Sequence, residues 1–151
     1  MAHTPVNHPA RPIYRAIGGL IGLYLVVFGA LGFIASAGDP FFGRGDTHIL
    51  GQGTNLGLSL FSVVVGAIVL VGTAIGRNLD VLINQWSAYL IMVVSLAGLA
   101  FIRTEANVFN LSVATVVVLM LLSLVLLMAG MYGKVGTDDD HEAWQKARLV
   151  L

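Results

Sequence analysis

The stretch LSVATVVVLMLLSLVLLMAGMY, residues 111–132, contains no Asp, Glu, Lys, Arg or His. As a helix rising about 1.5 Å per residue, it is long enough to cross a hydrocarbon layer roughly 30 Å thick. Three further stretches share that property: residues 16–37, 56–76 and 81–102. Together they predict an all-α protein, an integral membrane four-helix bundle filling residues 16–132. A 1–15 N-terminal arm with Pro5, Pro9 and Pro12 precedes it, and a 133–151 tail follows.

Composition agrees with that class. Of the 151 residues, 57% are hydrophobic and 11% charged, with a mean hydropathy of +0.87. A soluble domain carries more charge and shorter apolar runs. Net formal charge is +0, which argues against nucleic acid as a partner. The chain has no cysteine, so disulfides, thiolate metal sites and cysteine nucleophiles are excluded. Arg11 and Arg15 before the first span, with Ala35-Ser36-Ala37 at its end, resemble a signal peptide. The apolar run is too long for one, since such regions span about 7–15 residues, and a retained helix is expected.

Basic residues set the expected orientation. Arg11, Arg15, Arg77, Lys134, Lys146 and Arg148 fall on the side that carries both termini; only Arg44 and Arg103 fall on the other. The positive-inside rule then places the N- and C-termini in the cytoplasm of a plasma (inner) membrane protein. The outer loop, residues 38–55, is rich in glycine and should be turn-rich. Gly76–Asp80 reads as a tight hairpin and Arg103–Asn110 as a short outer turn. After Tyr132, Gly133 and Gly136 break the helix. Thr137-Asp138-Asp139-Asp140 can then cap a short amphipathic C-terminal helix carrying Trp144, Ala147 and either Val150 or Leu151 on one face.

In lipid, helices associate through close backbone approach rather than hydrophobic drive. Gly18, Gly22, Gly29 and Gly32 form a stripe on span 1, and span 2 offers Gly53/Gly57, Ser62/Gly66 and Gly72/Gly76 at the same four-residue spacing. These are the expected helix-packing residues. Span 4 is bulky on all faces and is expected against lipid or a broad apolar partner. Arg11, Arg15, Arg77 and Lys134 are the candidates for holding anionic phospholipid headgroups. Asn55, Asn107 and Asn110 gather towards the outer side, where they can bond one another, cap helices or line a substrate site.

The chemistry expected of this chain is sparse. No histidine lies within a span, so haem held by two intramembrane histidines is excluded; the expectation is no cofactor, no metal and no catalytic residue. A metal would need His48 with Asp39 or Asp46 on the outer loop. Drug–proton exchange by small four-helix transporters needs a membrane-embedded glutamate, whereas Glu105 and Glu142 both lie outside the spans. Asn110-Leu111-Ser112 is formally a glycosylation sequon at the membrane edge, and Arg44-Gly45-Asp46 matches an adhesion tripeptide. Both are read as chance.

Several motifs carry a resemblance. Thr47-His48-Ile49-Leu50-Gly51, Thr54-Asn55-Leu56-Gly57-Leu58-Ser59, Gly66-Ala67, Gly76-Arg77-Asn78 and the ending from Leu126 to Gly136 resemble an actinobacterial family of four-span membrane proteins of unknown function. The chain is also similar to the cofactor-free accessory subunits of mycobacterial respiratory supercomplexes, which join a cytochrome bcc complex to an aa3-type oxidase. That resemblance implies other membrane subunits as partners and a packing role beside them. The alternatives are a stand-alone protein binding lipid or a small apolar molecule, and a small transporter.

Overall fold

A computed structural model describes residues 5–148. Four long helices account for most of it: α1 (Arg11–Ala35), α2 (Leu56–Ile75), α3 (Leu79–Phe101) and α4 (Val113–Tyr132). All four are long and apolar enough to cross a membrane. A fifth helix, α5 (Asp138–Arg148), follows, and the first loop holds a small antiparallel pair, β1 (His48–Ile49) and β2 (Gln52–Gly53). Val150 and Leu151 lie outside the described residues.

The helices run up and down around a ring. α1 packs most closely with α2, and α3 with α4; looser seams join α2 to α3 and α4 to α1. Each helix turns a narrow stripe inward. On α1 the buried residues are Gly18, Ile21, Gly22, Leu25, Phe28, Gly29 and Gly32, the three- and four-residue spacing of one helical face. Leu25, Phe28, Leu58, Ile91, Leu119 and Leu126 fill the centre. Span 4, bulky all round, nevertheless has an inner face: Thr115, Val116, Leu119, Ser123, Leu126, Ala129 and Gly130 are buried, while Val117, Leu121 and Leu124 point outward.

The bounds differ from the sequence reading in instructive ways. The first helix begins at Arg11 rather than at residue 16, so the arm ends at Ala10, and it bends rather than running extended, with Asn7 at φ +55°. Pro12 sits in the first turn, where its missing N–H costs no hydrogen bond. The third helix begins at Leu79, which puts Asp80 in its first turn and inside the bundle. Gly53, expected to continue the glycine register of span 2, belongs to β2. Leu50 and Gly51, at φ +52° and +75°, turn the β hairpin as consecutive left-handed residues do in tight two-residue loops.

Candidate functional site

At the end that carries both termini, the last carbonyls of α2 and α4 have no helical N–H to accept from. Two arginines of α1 supply donors. Arg15 donates through Nε to Thr73 O (2.7 Å) and through Nη2 to Ala74 O (2.9 Å). Arg11 donates through Nε to Gly133 O (2.9 Å) and pairs with Asp80, Nη2 to Oδ2, at 3.4 Å. Asp80, expected in the tight hairpin between spans, has a side chain only 4% exposed. The interior is therefore not free of charge. The signal was present, because Asp80 is the sole acid between Asp46 and Glu105.

One turn further along α3, Asn84 presses against α1 at Gly18, where a Cβ would lie 2.8 Å from Asn84 Nδ2. Gly18 thus admits an amide from α3. Asp80 Oδ1, Asn84 Oδ1 and the Thr73 hydroxyl are buried without hydrogen-bond partners among the described residues. The other stripe glycines meet α2: Gly22 faces Gly66, while Gly29 and Gly32 face Ser59.

The four basic residues considered for headgroups divide into two kinds. Arg11 and Arg15 turn inward to cap helices. Arg77 and Lys134 are exposed, and among the described residues neither side chain makes a hydrogen bond or ion pair. Both stand next to a clamp: Asn78 donates through Nδ2 to Val135 O and accepts from Val135 N, each at 2.7 Å. The arm is tied to the tail in the same manner, with Asn7 bonding Gly136 through both amide atoms at 3.0 and 3.2 Å. His141 Nδ1 meets Val6 O at 2.8 Å, so α5 lies on the arm, with Trp144 beside Pro5, Asn7 and Pro9.

The opposite end is closed by asparagines bonded to backbone. Asn55 caps α2 by accepting from Leu58 N (2.9 Å), while its Nδ2 donates to Gly43 O (3.1 Å) and Val108 O (2.8 Å). Asn110 donates to Gly45 O (2.8 Å) and Thr54 O (3.1 Å). Asn107 accepts from Leu111 N at 2.9 Å. Among the described residues their side chains do not bond one another: Asn55 and Asn110 stitch loop to loop, and Asn107 ties its own turn, which occupies the amides that a substrate site would need. Ser112 and Thr115 form a capping box on α4, and the Thr115 hydroxyl also donates to Gly53 O (2.8 Å). Arg44 reaches across to Glu105, 2.6 Å between charged atoms. His48 Nδ1 meets the Asp46 carbonyl oxygen at 2.8 Å, and no three metal-ligating side chains gather among the described residues.

Outside, the helices present large apolar side chains throughout their length, among them Leu20, Val27, Ile68, Val93, Leu121 and Leu124. The α2–α3 seam opens into an apolar groove of about 430 Å³ lined by Val65, Ile68, Leu82, Ile83, Trp86 and Leu90. No protein-family model, curated protein or solved structure matches this chain.

Proposed function

We propose that this chain is a non-catalytic accessory subunit of a larger membrane complex, acting through helix packing and lipid retention. One observation carries the reading: arginines and asparagines at the two ends of the bundle are turned onto backbone carbonyls, while the outward faces of the helices are apolar. Whatever the molecule does by contact, it does with those faces and with the polar ends. The sequence resemblance directs the proposal to a respiratory bcc–aa3 oxidase supercomplex in a plasma membrane, with both termini cytoplasmic.

Affinity purification of the full chain in mild detergent tests this. Stoichiometric recovery of oxidase subunits is expected; a homogeneous chain with lipid alone would replace the proposal with the stand-alone lipid-binding reading, which the α2–α3 groove favours. Because the chain lacks cysteine, Asp46→Cys and Asp139→Cys report orientation. Impermeant thiol reagents should label the first from outside the cell and the second only in inverted vesicles.

A further inference from the structure

The α2–α3 groove and the basic residue above it belong together. α2 and α3 are joined by Gly76-Arg77-Asn78, whose φ angles of +69°, +54° and +67° are all left-handed. Near this turn the helices are close, because Gly72 leaves space for Ile83: a Cβ there would lie 2.8 Å from Ile83 Cδ1. Farther in they part, and the groove opens between Val65 and Ile68 on one side and Leu82, Trp86 and Leu90 on the other.

Its depth selects the occupant. Leu90 lies about 16 Å below the start of α3, at about 1.5 Å per residue. That is roughly half of a ~30 Å hydrocarbon core, the depth of one leaflet. A transmembrane helix of a partner would need a groove along the whole thickness, whereas an acyl chain needs this much. Trp86 is 68% exposed at the groove, and an indole is suited to the boundary between chains and headgroups.

Charge selects the class of lipid. Arg77 stands in the turn at the groove's headgroup end. The next residue, Asn78, is tied to Val135 by its side chain, and the Arg77 side chain is exposed. Asp80, the nearest acid in sequence, is turned inward to Arg11. Lys134 is the weaker candidate, since it already lies within electrostatic reach of Asp140.

We propose that the α2–α3 groove binds one anionic phospholipid of the leaflet on the terminus-bearing side, its acyl chain between Ile68 and Leu90 and its phosphate on Arg77. This deepens the lipid-retention part of the proposed function, and its test requires no partner subunit.

The full chain carrying Trp144→Phe, which leaves Trp86 as the sole tryptophan, is purified in mild detergent. It is then titrated with phosphatidylglycerol or phosphatidylcholine bearing brominated acyl chains. Quenching of Trp86 should occur at about fivefold lower phosphatidylglycerol than phosphatidylcholine, the contribution of one basic residue near a membrane surface. Arg77→Gln should make the two lipids equal, Lys134→Gln should preserve the preference, and Ile68→Phe, which fills the groove, should weaken quenching by both. Circular dichroism confirms that each variant is folded. Equal quenching by the two lipids in the parent protein would overturn the site, as would a preference that survives Arg77→Gln. Either result leaves the subunit proposal standing, and failure to recover partner subunits leaves this one standing.

Discussion

Gly22 of α1 and Gly66 of α2 meet backbone to backbone. A Cβ on Gly22 would lie 3.0 Å from Gly66 O, and one on Gly66 would lie 2.7 Å from Gly22 O. The opposing surface is rigid main chain, so neither helix can relieve the overlap by turning a rotamer.

Gly66→Val is therefore expected to separate α1 from α2. Overpacking of a well-packed core costs about 1–3 kcal/mol, and a backbone opponent puts this variant at the upper end. Thermal unfolding in detergent, followed by circular dichroism, should show a clear fall in midpoint. Leu20→Val on the outward face, 66% exposed, should show almost none. Equal midpoints would mean that this contact does not hold the bundle.

The Arg11–Asp80 pair gives an asymmetric expectation. Arg11→Met leaves a carboxylate that is 4% exposed without its counter-charge and removes the donor to Gly133 O. Breaking a fully buried pair costs about 3–5 kcal/mol; with Arg11 itself 21% exposed, about 1–3 kcal/mol is expected. Asp80→Asn removes the charge instead and should cost less. Denaturant unfolding of the two variants and their double mutant checks the order, and a larger loss in Asp80→Asn would contradict it.

Asn55 joins a helix cap to two loops. Asn55→Ala removes the cap to Leu58 N and the bonds to Gly43 O and Val108 O, for about 1–3 kcal/mol in total. Asn55→Asp keeps the cap but sets a buried carboxylate oxygen against the Gly43 and Val108 carbonyls, so it should cost more than the alanine variant. Hydrogen exchange resolved by segment should show faster exchange in the outer loops of both variants, with the start of α2 affected only in the alanine variant.

The tail helix should loosen in acid. Asp140 accepts from Thr137 N and the Thr137 hydroxyl, each at 3.0 Å, while Asp140 N donates to Thr137 Oγ1 at 3.2 Å, a reciprocal cap. The backbone N–H of Thr137, and then its hydroxyl, hold the Asp140 carboxyl below its usual value. A lowered folded-state pKa means stability that is present above the ordinary carboxylate range and lost as pH falls through the folded value. Hydrogen exchange in α5 should accelerate below that range, and Asp140→Asn should flatten this dependence.

The architecture was legible where one property repeats over a long distance. Four uncharged runs of bilayer length leave the chain few other ways to satisfy its backbone in lipid, and Thr137 with its aspartates marked a helix start by local chemistry alone. Boundaries were less legible. Arg11 and Arg15 read as residues outside the membrane because they are charged; they lie within α1 because their side chains find carbonyls on α2 and α4. Those acceptors are distant in sequence, and no local pattern announces them.

Thus the amino-acid order by itself determined the membrane class, the number of spans, the hairpin between α2 and α3 and the small-residue faces, all of which depend on properties read along one segment. Tertiary structure alone decided which faces meet. It set Gly22 against Gly66 but Gly18 against Asn84, buried Asp80 beside Arg11, occupied the asparagines with loop carbonyls, and left Arg77 exposed above an apolar groove. The physical reason is one of range. Burial in lipid is set residue by residue, whereas the partner of a polar group is set by the relative rotation and approach of helices, which the hydropathy of each helix does not encode.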